Sequence, residues 1–414
     1  MSTSYPIRPI TDSELASFRA VPNQAFNSTW PAEKFADLGR LVFEPQRSLA
    51  AFDGDLLVGT TEACSFGLTV PGGSVRAAGV TGVAVLPSYR RRGILSALMA
   101  RQFADIAAGE EPVAALFSSE SGIYGRFGYG PAADDHSFVV KRGEGRIQPG
   151  ARAGVTIRLV DLKSAAAELA IVFDAVLPTR PGLLTRNKGW WDLLLADPEF
   201  LRDGAAPQRC VLAQDSSGTC GYAIYSVVPS WGQHGLPEQV LTVRELFATS
   251  PAGYAALWAD LLSRDLVGEV RTRLRPADDP LPYLLPDPRR SRRAVSDGLW
   301  IRLVDVPGAL EQRRYACPVD LVIEVTDDLL PANSGRWRLR AGGLADPGMP
   351  TCEPTTADAD LTLPVAALGA GYLGGTRLGA LAAAGVVSEL RPGAVSALSA
   401  AMWWDPAPWA AMVF

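Results

Sequence analysis

The chain has 414 residues, which is more than one ordinary hydrophobic core accommodates, so we predict two or three domains. Its formal net charge of -5 and its isoelectric point of about 5.3 argue against a general affinity for nucleic acids or anionic membranes. Any polyanion must therefore be recognised by a local basic patch.

The cysteines and histidines limit the kinds of metal site and catalytic site that the chain can form. The five cysteines are odd in number and scattered, and His136 and His234 are the two histidines. We therefore expect reduced thiols in a cytoplasmic protein, without a metal site or a histidine-based catalytic triad. The first six residues show no basic segment followed by an apolar one, and no stretch is long and apolar enough to span a bilayer, which favours the same location.

The first predicted elements are short helices, a hairpin, and a strand that leads into a longer helix. The spacing of apolar, capping and turn residues predicts helices at 13–18 and 31–41, a hairpin at 48–70, a strand at 80–86 and a helix from Ile94 onward. The hairpin turns at an Asp-Gly pair, Asp53 and Gly54. This order predicts a mixed α/β unit with the first helices in a position to flank a ligand cleft.

The turn between that strand and helix is basic. Arg90, Arg91 and Arg92 precede Gly93, which stands where the helix begins. The first N–H groups of a helix lack intrahelical acceptors, and the helix dipole makes this end positive. Together with the arginines, they predict a binding site for a phosphate group. A solvated helix cap is the alternative interpretation of the same residues.

A glycine-rich loop follows the next predicted strand. The apolar run at 112–117 predicts a buried strand, and residues 118–130 then contain four glycines around two tyrosines, an arginine and a phenylalanine. Glycines allow the backbone to approach a ligand closely. We expect residues 138–141 to form the last strand of this first unit and residues 143–154 to form a linker.

The order of elements repeats between residue 155 and about residue 274. The predicted elements are a strand at 155–160, helices at 165–176 and 189–196, a hairpin at 210–228, a strand at 239–248 and a helix at 254–264. The turn before the last helix, residues 249–253, contains no basic residue. We interpret this region as a second copy of the fold that has lost its anion site. Two unrelated α/β segments are the alternative.

The remainder of the chain has a different order of elements. Residues 276–293 are proline-rich and end in a basic cluster, which we interpret as a solvated linker, with nucleic-acid binding as the alternative. The following α+β domain is predicted from strands at 299–304, 319–325, 335–341 and 359–363 and helices at 364–368, 376–384 and 395–402. The tail, residues 403–414, is aromatic and rich in proline, which predicts that it docks on the protein.

Two segments carry a family resemblance. Residues 82–87 read Gly-Val-Ala-Val-Leu-Pro and precede Arg-Arg-Arg-Gly-Ile-Leu, whereas residues 119–130 read Ser-Glu-Ser-Gly-Ile-Tyr-Gly-Arg-Phe-Gly-Tyr-Gly. With these segments the chain resembles the Gcn5-related N-acetyltransferases (GNAT), and within them the enhanced intracellular survival (Eis) acetyltransferases. The resemblance implies an α/β (α+β) fold with two tandem GNAT-fold domains, at 1–152 and 153–293, of which the second is degenerate. A sterol-carrier-protein-like α+β domain would follow at 294–414.

The resemblance also implies a site for acetyl-CoA. The pantetheine arm and the thioester carbonyl would be held by backbone groups of Val83, Ala84 and Val85. The pyrophosphate would be bound by Arg90, Arg91, Arg92, Gly93, Ile94, Leu95 and Ser96. Ser119 and Glu120 would lie along the cofactor, although Glu120 is equally compatible with a structural hydrogen bond in its loop. Leu95 departs from the small residue that is common in the wider superfamily.

Two residues are implied to be catalytic. Tyr124 matches the family's general acid, which protonates the departing coenzyme A thiolate, and Phe414 matches the terminal residue whose free α-carboxylate is the general base. A carboxylate near an ammonium group supplies the base that aminolysis needs, and a tyrosine with a pKa near 10 suits a thiolate leaving group. The alternatives are a packing role for Tyr124 and an apolar plug at Phe414, the latter being compatible with catalysis.

The expected function is transfer of the acetyl group of acetyl-CoA to a primary amine, either of an aminoglycoside-like or polyamine small molecule or of a lysine side chain. The last ten residues contain Asp405 as their only acid, and Val413 is penultimate, so the acceptor pocket is expected to be less acidic than is usual in Eis-like enzymes. The resemblance implies a homo-oligomer, specifically a homohexamer. The alternative function is a non-catalytic module that senses acetyl-CoA or binds an apolar ligand in its C-terminal domain.

Overall fold

The computed structural model describes residues 5–346 and 348–414 of the chain. Residues 1–4, which belong to the segment where the sequence predicts no targeting signal, lie outside the described residues, as does the side chain of Ala32. Up to residue 131 the elements are β1 (Ile7–Pro9), α1 (Leu15–Ala25), α2 (Ala32–Gly39), β2 (Ser48–Asp53), β3 (Leu56–Val70), β4 (Gly73–Val85), α3 (Ile94–Ala107), β5 (Val113–Phe117), α4 (Ser121–Tyr124) and β6 (Gly130–Pro131).

The middle of the chain repeats this order of strands and helices. Its elements are β7 (Asp134–Lys141), β8 (Thr156–Val160), α5 (Ala166–Val176), α6 (Lys188–Leu194), β9 (Arg209–Asp215), β10 (Gly218–Val228), β11 (Gln239–Ala248), α7 (Pro251–Leu262), β12 (Val267–Arg275) and α8 (Leu281–Leu284). The remaining elements are β13 (Ala294–Asp297), β14 (Leu299–Leu303), α9 (Val306–Glu311), β15 (Pro318–Thr326), β16 (Gly335–Gly342), β17 (Thr351–Pro354), β18 (Leu361–Pro364), α10 (Val365–Gly371), α11 (Leu378–Ala383), β19 (Ser388–Glu389) and α12 (Ala394–Met402).

Three sheets organise these strands. The first has the order β1-β2-β3-β4-β5-β14-β6, the second β13-β7-β12-β11-β10-β9-β8 and the third β17-β16-β15-β18-β19. In the first two sheets an antiparallel set of strands is followed by one parallel pair, β4 with β5 and β11 with β12. The predicted α/β (α+β) class is therefore confirmed, and so are the predicted hairpins at 48–70 and 210–228.

The first two sheets exchange a strand. β7 pairs with β12 and β13 in the second sheet, whereas β14 pairs with β5 in the first sheet. The expectation that residues 138–141 close the first unit is therefore wrong, and so is the expectation that residues 299–304 belong to the third domain. The proposed division of the sequence at residues 152 and 293 stays a prediction. Strand pairing crosses both positions, between β7 and β12 and between β5 and β14.

Side-chain burial explains the exchange. Phe138 on β7 packs in the core that surrounds Trp258 of α7, in the second unit. Leu299 on β14 packs instead in the core that contains Phe66 of β3, in the first unit. Both strands are short apolar runs, so the sequence pattern indicates a strand at each position but does not indicate the sheet that it joins.

The third domain is tied to the first sheet by a buried ion pair. Arg302 of β14 donates to both carboxylate oxygens of Asp327, at 2.8 and 2.6 Å, and both side chains are almost fully buried. Helix α12 ends at Met402, and the tail after it runs back over the other two units. None of the helices in the described residues has the length and hydropathy that a bilayer span requires.

Candidate active site

Strands β4 and β5 separate along the first sheet and leave a cleft between them. They pair only over Ala77–Gly79 on β4, although β4 continues to Val85. A β-bulge lies just beyond the paired stretch, where the β3 to β4 register shifts and Gly82 has a φ of 60°. A bulge of this kind requires a residue that tolerates positive φ, and it increases strand twist. The cleft that results has a volume of about 410 Å³.

Most of the residues predicted to bind the cofactor line this cleft. They come from the end of β4, the start of α3 and the loop after β5: Val83, Ala84, Val85, Arg90, Arg91, Gly93, Ile94, Leu95, Ser96, Ser119 and Glu120. Arg92 does not line it. Its guanidinium donates to Tyr5 and to the Ser88 carbonyl, at 3.1 and 2.9 Å, and stacks on Tyr89.

The start of α3 is built to receive an anion. Gly93 is the N-cap residue with a φ of 81°, and it has no side chain to accept a hydrogen bond from the first turn. Arg91 also has a positive φ, 62°, so the backbone turns sharply between the strand and the helix. A Cβ at Gly93 would meet nothing within 4 Å, which shows open space at the helix start. Free N–H groups beside Arg90 and Arg91 suit a pyrophosphate.

Tyr124 forms part of another wall of the cleft. It ends the short helix α4, is 6% exposed, and its ring meets the edge of Tyr129 at 6.1 Å. Burial, and to a smaller extent the charge of Glu120, raises the pKa of Tyr124. The hydroxyl therefore stays protonated at neutral pH and can donate a proton.

The C-terminus reaches the same gap between β4 and β5. The Thr81 hydroxyl donates a hydrogen bond of 2.9 Å to the main-chain oxygen of Phe414. The Phe414 ring packs against Phe66 of β3 and Phe117 of β5, with centroid distances of 5.2 and 5.7 Å. The prediction that the tail docks on the protein is confirmed, and the main-chain oxygen of Phe414 lies beside the bulge at Gly82.

Several residues of the site were not predicted from the sequence. Thr81 was one of them, although a threonine inside the apolar run at 80–86 is the kind of polar exception that marks a site. Trp190 of α6 was another, and it packs against Phe66 at 5.1 Å, so the second unit contributes to the wall around Phe414. No local signal identifies this contact, because it joins residues that are far apart in the sequence.

A buried ion pair lies beneath the bulge. Arg19 of α1 donates to both carboxylate oxygens of Glu62, and both side chains are less than a tenth exposed. Glu62 stands directly opposite Thr81 in the β3 to β4 register. The Arg19 guanidinium therefore compensates the charge of this carboxylate next to Thr81. Within the described residues, no group of three or more His, Cys, Asp or Glu side chains is arranged to hold a metal ion.

Three family models match successive parts of the chain. An acetyltransferase (GNAT) domain matches residues 6–132, a second acetyltransferase (GNAT) domain matches residues 182–303, and a sterol carrier protein domain matches residues 306–411. This order confirms the expected architecture of two GNAT domains followed by a sterol-carrier-protein-like domain.

Relatives and solved structures agree with these matches. An uncharacterized N-acetyltransferase of Streptomyces avermitilis is 42% identical over 388 residues, which cover 93% of this chain and 94% of the relative. N-acetyltransferase Eis of Mycobacterium tuberculosis is 37% identical over 340 residues, which cover 80% of this chain and 79% of the relative. Eis1 of Mycobacterium abscessus superposes with a TM-score of 0.82 at 34% identity, over 99% of this chain and 100% of that chain.

A more distant structure shares the fold. A GCN5-related N-acetyltransferase of Anabaena variabilis superposes with a TM-score of 0.85 at 20% identity, over 99% of this chain and 100% of that chain. GNAT enzymes use acetyl-CoA as co-substrate. Taken together, the site and the relatives show that the chain belongs to the GNAT superfamily as an Eis-like N-acetyltransferase.

Proposed function

We propose that the protein transfers the acetyl group of acetyl-CoA directly to a primary amine, with Tyr124 as general acid and the α-carboxylate of Phe414 as general base. The observation that carries this proposal is the hydrogen bond from Thr81 to the terminal carboxylate, which holds a base in the gap between β4 and β5. Tyr124 supplies a protonated hydroxyl to the cleft at that gap.

The residues present fit acetyl-CoA as the donor. Free N–H groups at the start of α3, with Arg90 and Arg91, would hold the pyrophosphate. Backbone groups of Val83 and Val85, at the end of β4 that is not paired with β5, would hold the amide-bearing arm. When bound, acetyl-CoA supplies an activated acetyl group as a thioester.

In the proposed reaction one of the two groups accepts a proton and the other donates one. The Phe414 carboxylate accepts a proton from the ammonium form of the acceptor, directly or through water, so that a neutral nitrogen attacks the acyl carbon. As the carbon–sulfur bond breaks, the Tyr124 hydroxyl donates its proton to the departing sulfur. The second proton lost by the nitrogen restores the tyrosine. Holding the reacting groups together reduces the entropic part of the barrier.

The acceptor class is a primary amine of an aminoglycoside-like or polyamine small molecule, or of a lysine side chain. Phe66, Trp190 and Phe414 form an aromatic wall that suits the methylene groups beside an amine. The tail adds little negative charge to that wall, since Val413 is penultimate and Glu62 is already paired with Arg19. We infer that amines with few charges are acetylated more efficiently than polycations.

An extended chain tests the base. Adding Gly-Gly after Phe414 moves the carboxylate away from Thr81, so we expect kcat to fall by roughly 10²- to 10⁴-fold, with acetyl-CoA binding unchanged. The matched variant Phe414→Leu keeps a terminal carboxylate and should lose less than about tenfold. Thiol release would be measured with a panel of amines. Full turnover by the extended chain would remove the carboxylate from the mechanism, and no thiol release with any amine would exclude the proposed reaction.

The assembly and location follow from similarity to the Eis-like proteins. We propose a cytoplasmic homohexamer, without a nucleic-acid partner. Light scattering would measure its mass, which should be six times the 44.0 kDa of the chain.

A further inference from the structure

The tail reaches Phe414 by crossing the second unit. After α12 ends at Met402, Ala407 and Trp409 contact residues of the second unit, and only then does the chain arrive at Thr81. Trp409 is 5% exposed although it lies only five residues before the end of the chain. An aromatic residue buried so close to a terminus indicates that the terminus is held in one position.

Two charged side chains bind the tail backbone at one residue. Asp278 accepts a hydrogen bond of 3.0 Å from the Ala407 N–H, and Arg180 donates a hydrogen bond of 2.9 Å to the Ala407 carbonyl. Arg180 and Asp278 also pair with each other at 2.5 Å. A donor and an acceptor that contact the same residue fix its position along the tail, because a shift by one residue would break both hydrogen bonds.

Trp409 lies at the gap between β11 and β12, which corresponds to the cleft between β4 and β5. These strands pair from Gln239 to Val243 on β11 and then separate. The Trp409 indole packs on Phe247 at 4.6 Å and donates to the carbonyl of Leu274. Leu274 has a φ of 55°, a conformation that is unfavourable for leucine. The β12 to β7 register shifts between Thr272 and Arg275, and the carbonyl of Leu274 within this bulge faces the tail.

A buried network supports the Trp409 ring from beneath. The Arg275 guanidinium lies 4.8 Å from the ring centroid and donates to Asp279 at 2.8 Å and to the Leu246 carbonyl at 2.9 Å. The hydroxyl of Tyr254 donates to the same aspartate at 2.5 Å. The separated strands of the second unit are therefore bridged by protein groups.

The same segment that binds Trp409 is attached to the first unit. Pro181 accepts a hydrogen bond of 2.7 Å from the Trp409 N–H, and the next residue, Gly182, donates to Thr69 of β3 at 2.8 Å. Thr185 and Gly67 of β3 then exchange hydrogen bonds at 2.8 Å. Phe66, which touches Phe414, also lies on β3. The same strand therefore contacts both the segment that binds Trp409 and the last residue of the tail. From Trp409, five residues reach at most about 18 Å.

We propose that the second GNAT unit is the docking site that positions the catalytic carboxylate, with Arg180 and Asp278 of that unit and Trp409 of the tail as positioning residues. The proposal rests on the proposed function, because it assumes that the Phe414 carboxylate is the base. The second unit would then contribute to turnover without binding a cofactor. It fixes where the tail leaves its surface, and the short remaining segment brings the carboxylate to Thr81.

The test uses two variants of the full-length protein and a matched control for each. Asp278→Ala removes the acceptor for the Ala407 N–H at a half-exposed side chain, and Trp409→Phe keeps the ring but removes the indole donor. Asp265→Ala and Trp231→Phe change exposed residues of the same types in the same unit. Hydrogen exchange of the tail amides reports docking without reference to activity, and steady-state kinetics report kcat and the KM for acetyl-CoA.

We expect faster exchange of the Ala407 and Trp409 amides in both variants, and a kcat that is about 10- to 100-fold lower with the KM for acetyl-CoA unchanged. The controls should change neither quantity. Unchanged hydrogen exchange of the tail amides in both variants would overturn the proposal that the second unit is the docking site of the tail. A second outcome is faster hydrogen exchange of the tail amides in both variants with an unchanged kcat, while the Gly-Gly extension abolishes turnover. It would overturn the positioning role of these residues but not the role of the carboxylate as base. Turnover that survives both the extension and tail release would instead reject the carboxylate as base.

Discussion

The two GNAT units begin their corresponding helices in opposite ways. At the start of α3, Gly93 leaves the first N–H groups free, and Arg90 and Arg91 flank them. At the start of α7, the Ser250 hydroxyl accepts a hydrogen bond of 3.1 Å from Gly253, and Pro251 at the first helical position has no N–H to offer. One fold thus carries an open anion site in one copy and a satisfied helix cap in the other.

The short helices after the central parallel strands differ in the same manner. Helix α4, after β5, ends on Tyr124, which is buried beside the cleft. Helix α8, after β12, ends on Leu284, and its neighbour Tyr283 is 83% exposed. The second unit has kept the chain path but has Leu284 where the first unit has Tyr124. Comparison of the two copies therefore separates the residues that maintain the fold from the residues that perform the chemistry.

Removing the acid from the first unit should have the largest effect. We expect Tyr124→Phe to lower kcat by roughly 10²-fold or more, because the departing thiolate then lacks a positioned proton donor. The ring remains, so acetyl-CoA binding and the melting temperature should change little. A kcat within threefold of the wild type would contradict the assignment.

The pH dependence gives a second measurement on the same residue. Burial raises the pKa of Tyr124, and the proposed mechanism requires its protonated form. Activity should therefore persist as the pH rises and decline only above the ordinary tyrosine pKa of about 10. Tyr124→Phe should lose this alkaline limb.

Removing charge from the open helix start should have an intermediate effect. In the double variant Arg90→Gln and Arg91→Gln, we expect the KM for acetyl-CoA to rise by roughly 10- to 100-fold, which corresponds to a loss of about 1.5–3 kcal/mol of charged hydrogen bonding for the pair. The matched control is Arg289→Gln and Arg293→Gln, in the basic cluster of the second unit, which should leave the KM unchanged. Equal effects of the two pairs would indicate a general electrostatic attraction instead of a site.

Single-residue changes at the two helix starts should have the smallest effects. Ser250→Ala removes the cap of α7 and should lower the free energy of unfolding by about 1 kcal/mol, without changing the KM for acetyl-CoA. Gly93→Ala should lower it by about 1–2 kcal/mol, because alanine is strained at a φ of 81°, and should also raise that KM. Thermal unfolding and steady-state kinetics would separate the two variants. A raised KM for acetyl-CoA in Ser250→Ala would contradict the proposal that only the first GNAT unit binds the cofactor.

Local sequence patterns predicted most of the fold and the cofactor cleft. The turn at Gly93 and the loop that ends on Tyr124 are short contiguous segments, so turn chemistry and helical spacing were sufficient to indicate them. The predicted order of the second copy was likewise correct. The strand β12 was missed, because charged residues such as Glu269, Arg271 and Arg273 interrupt its apolar pattern.

The features that were not predicted depend on contacts between distant parts of the chain. The hydrogen bond between Thr81 and Phe414 joins residues 333 positions apart. Trp190 meets Phe66 from another unit, and β7 and β14 each resemble any other short apolar strand. A single sequence shows whether such a residue is apolar or polar. Its partner is determined by tertiary packing, which the local sequence pattern does not show. Arg92 illustrates the same limit, because its neighbours Arg90 and Arg91 face the cleft whereas it turns to Tyr5.

The exchange of β7 and β14 has a consequence for synthesis on the ribosome. The outer edge of β5 receives its partner only when Leu303 has emerged, long after Phe117. At about 5–20 residues per second this interval lasts roughly 10 to 40 s, during which an apolar strand edge next to the catalytic loop stays unpaired. The first sheet is therefore completed late in translation, and we expect a nascent chain of this protein to need more protection by chaperones than two independent GNAT domains would.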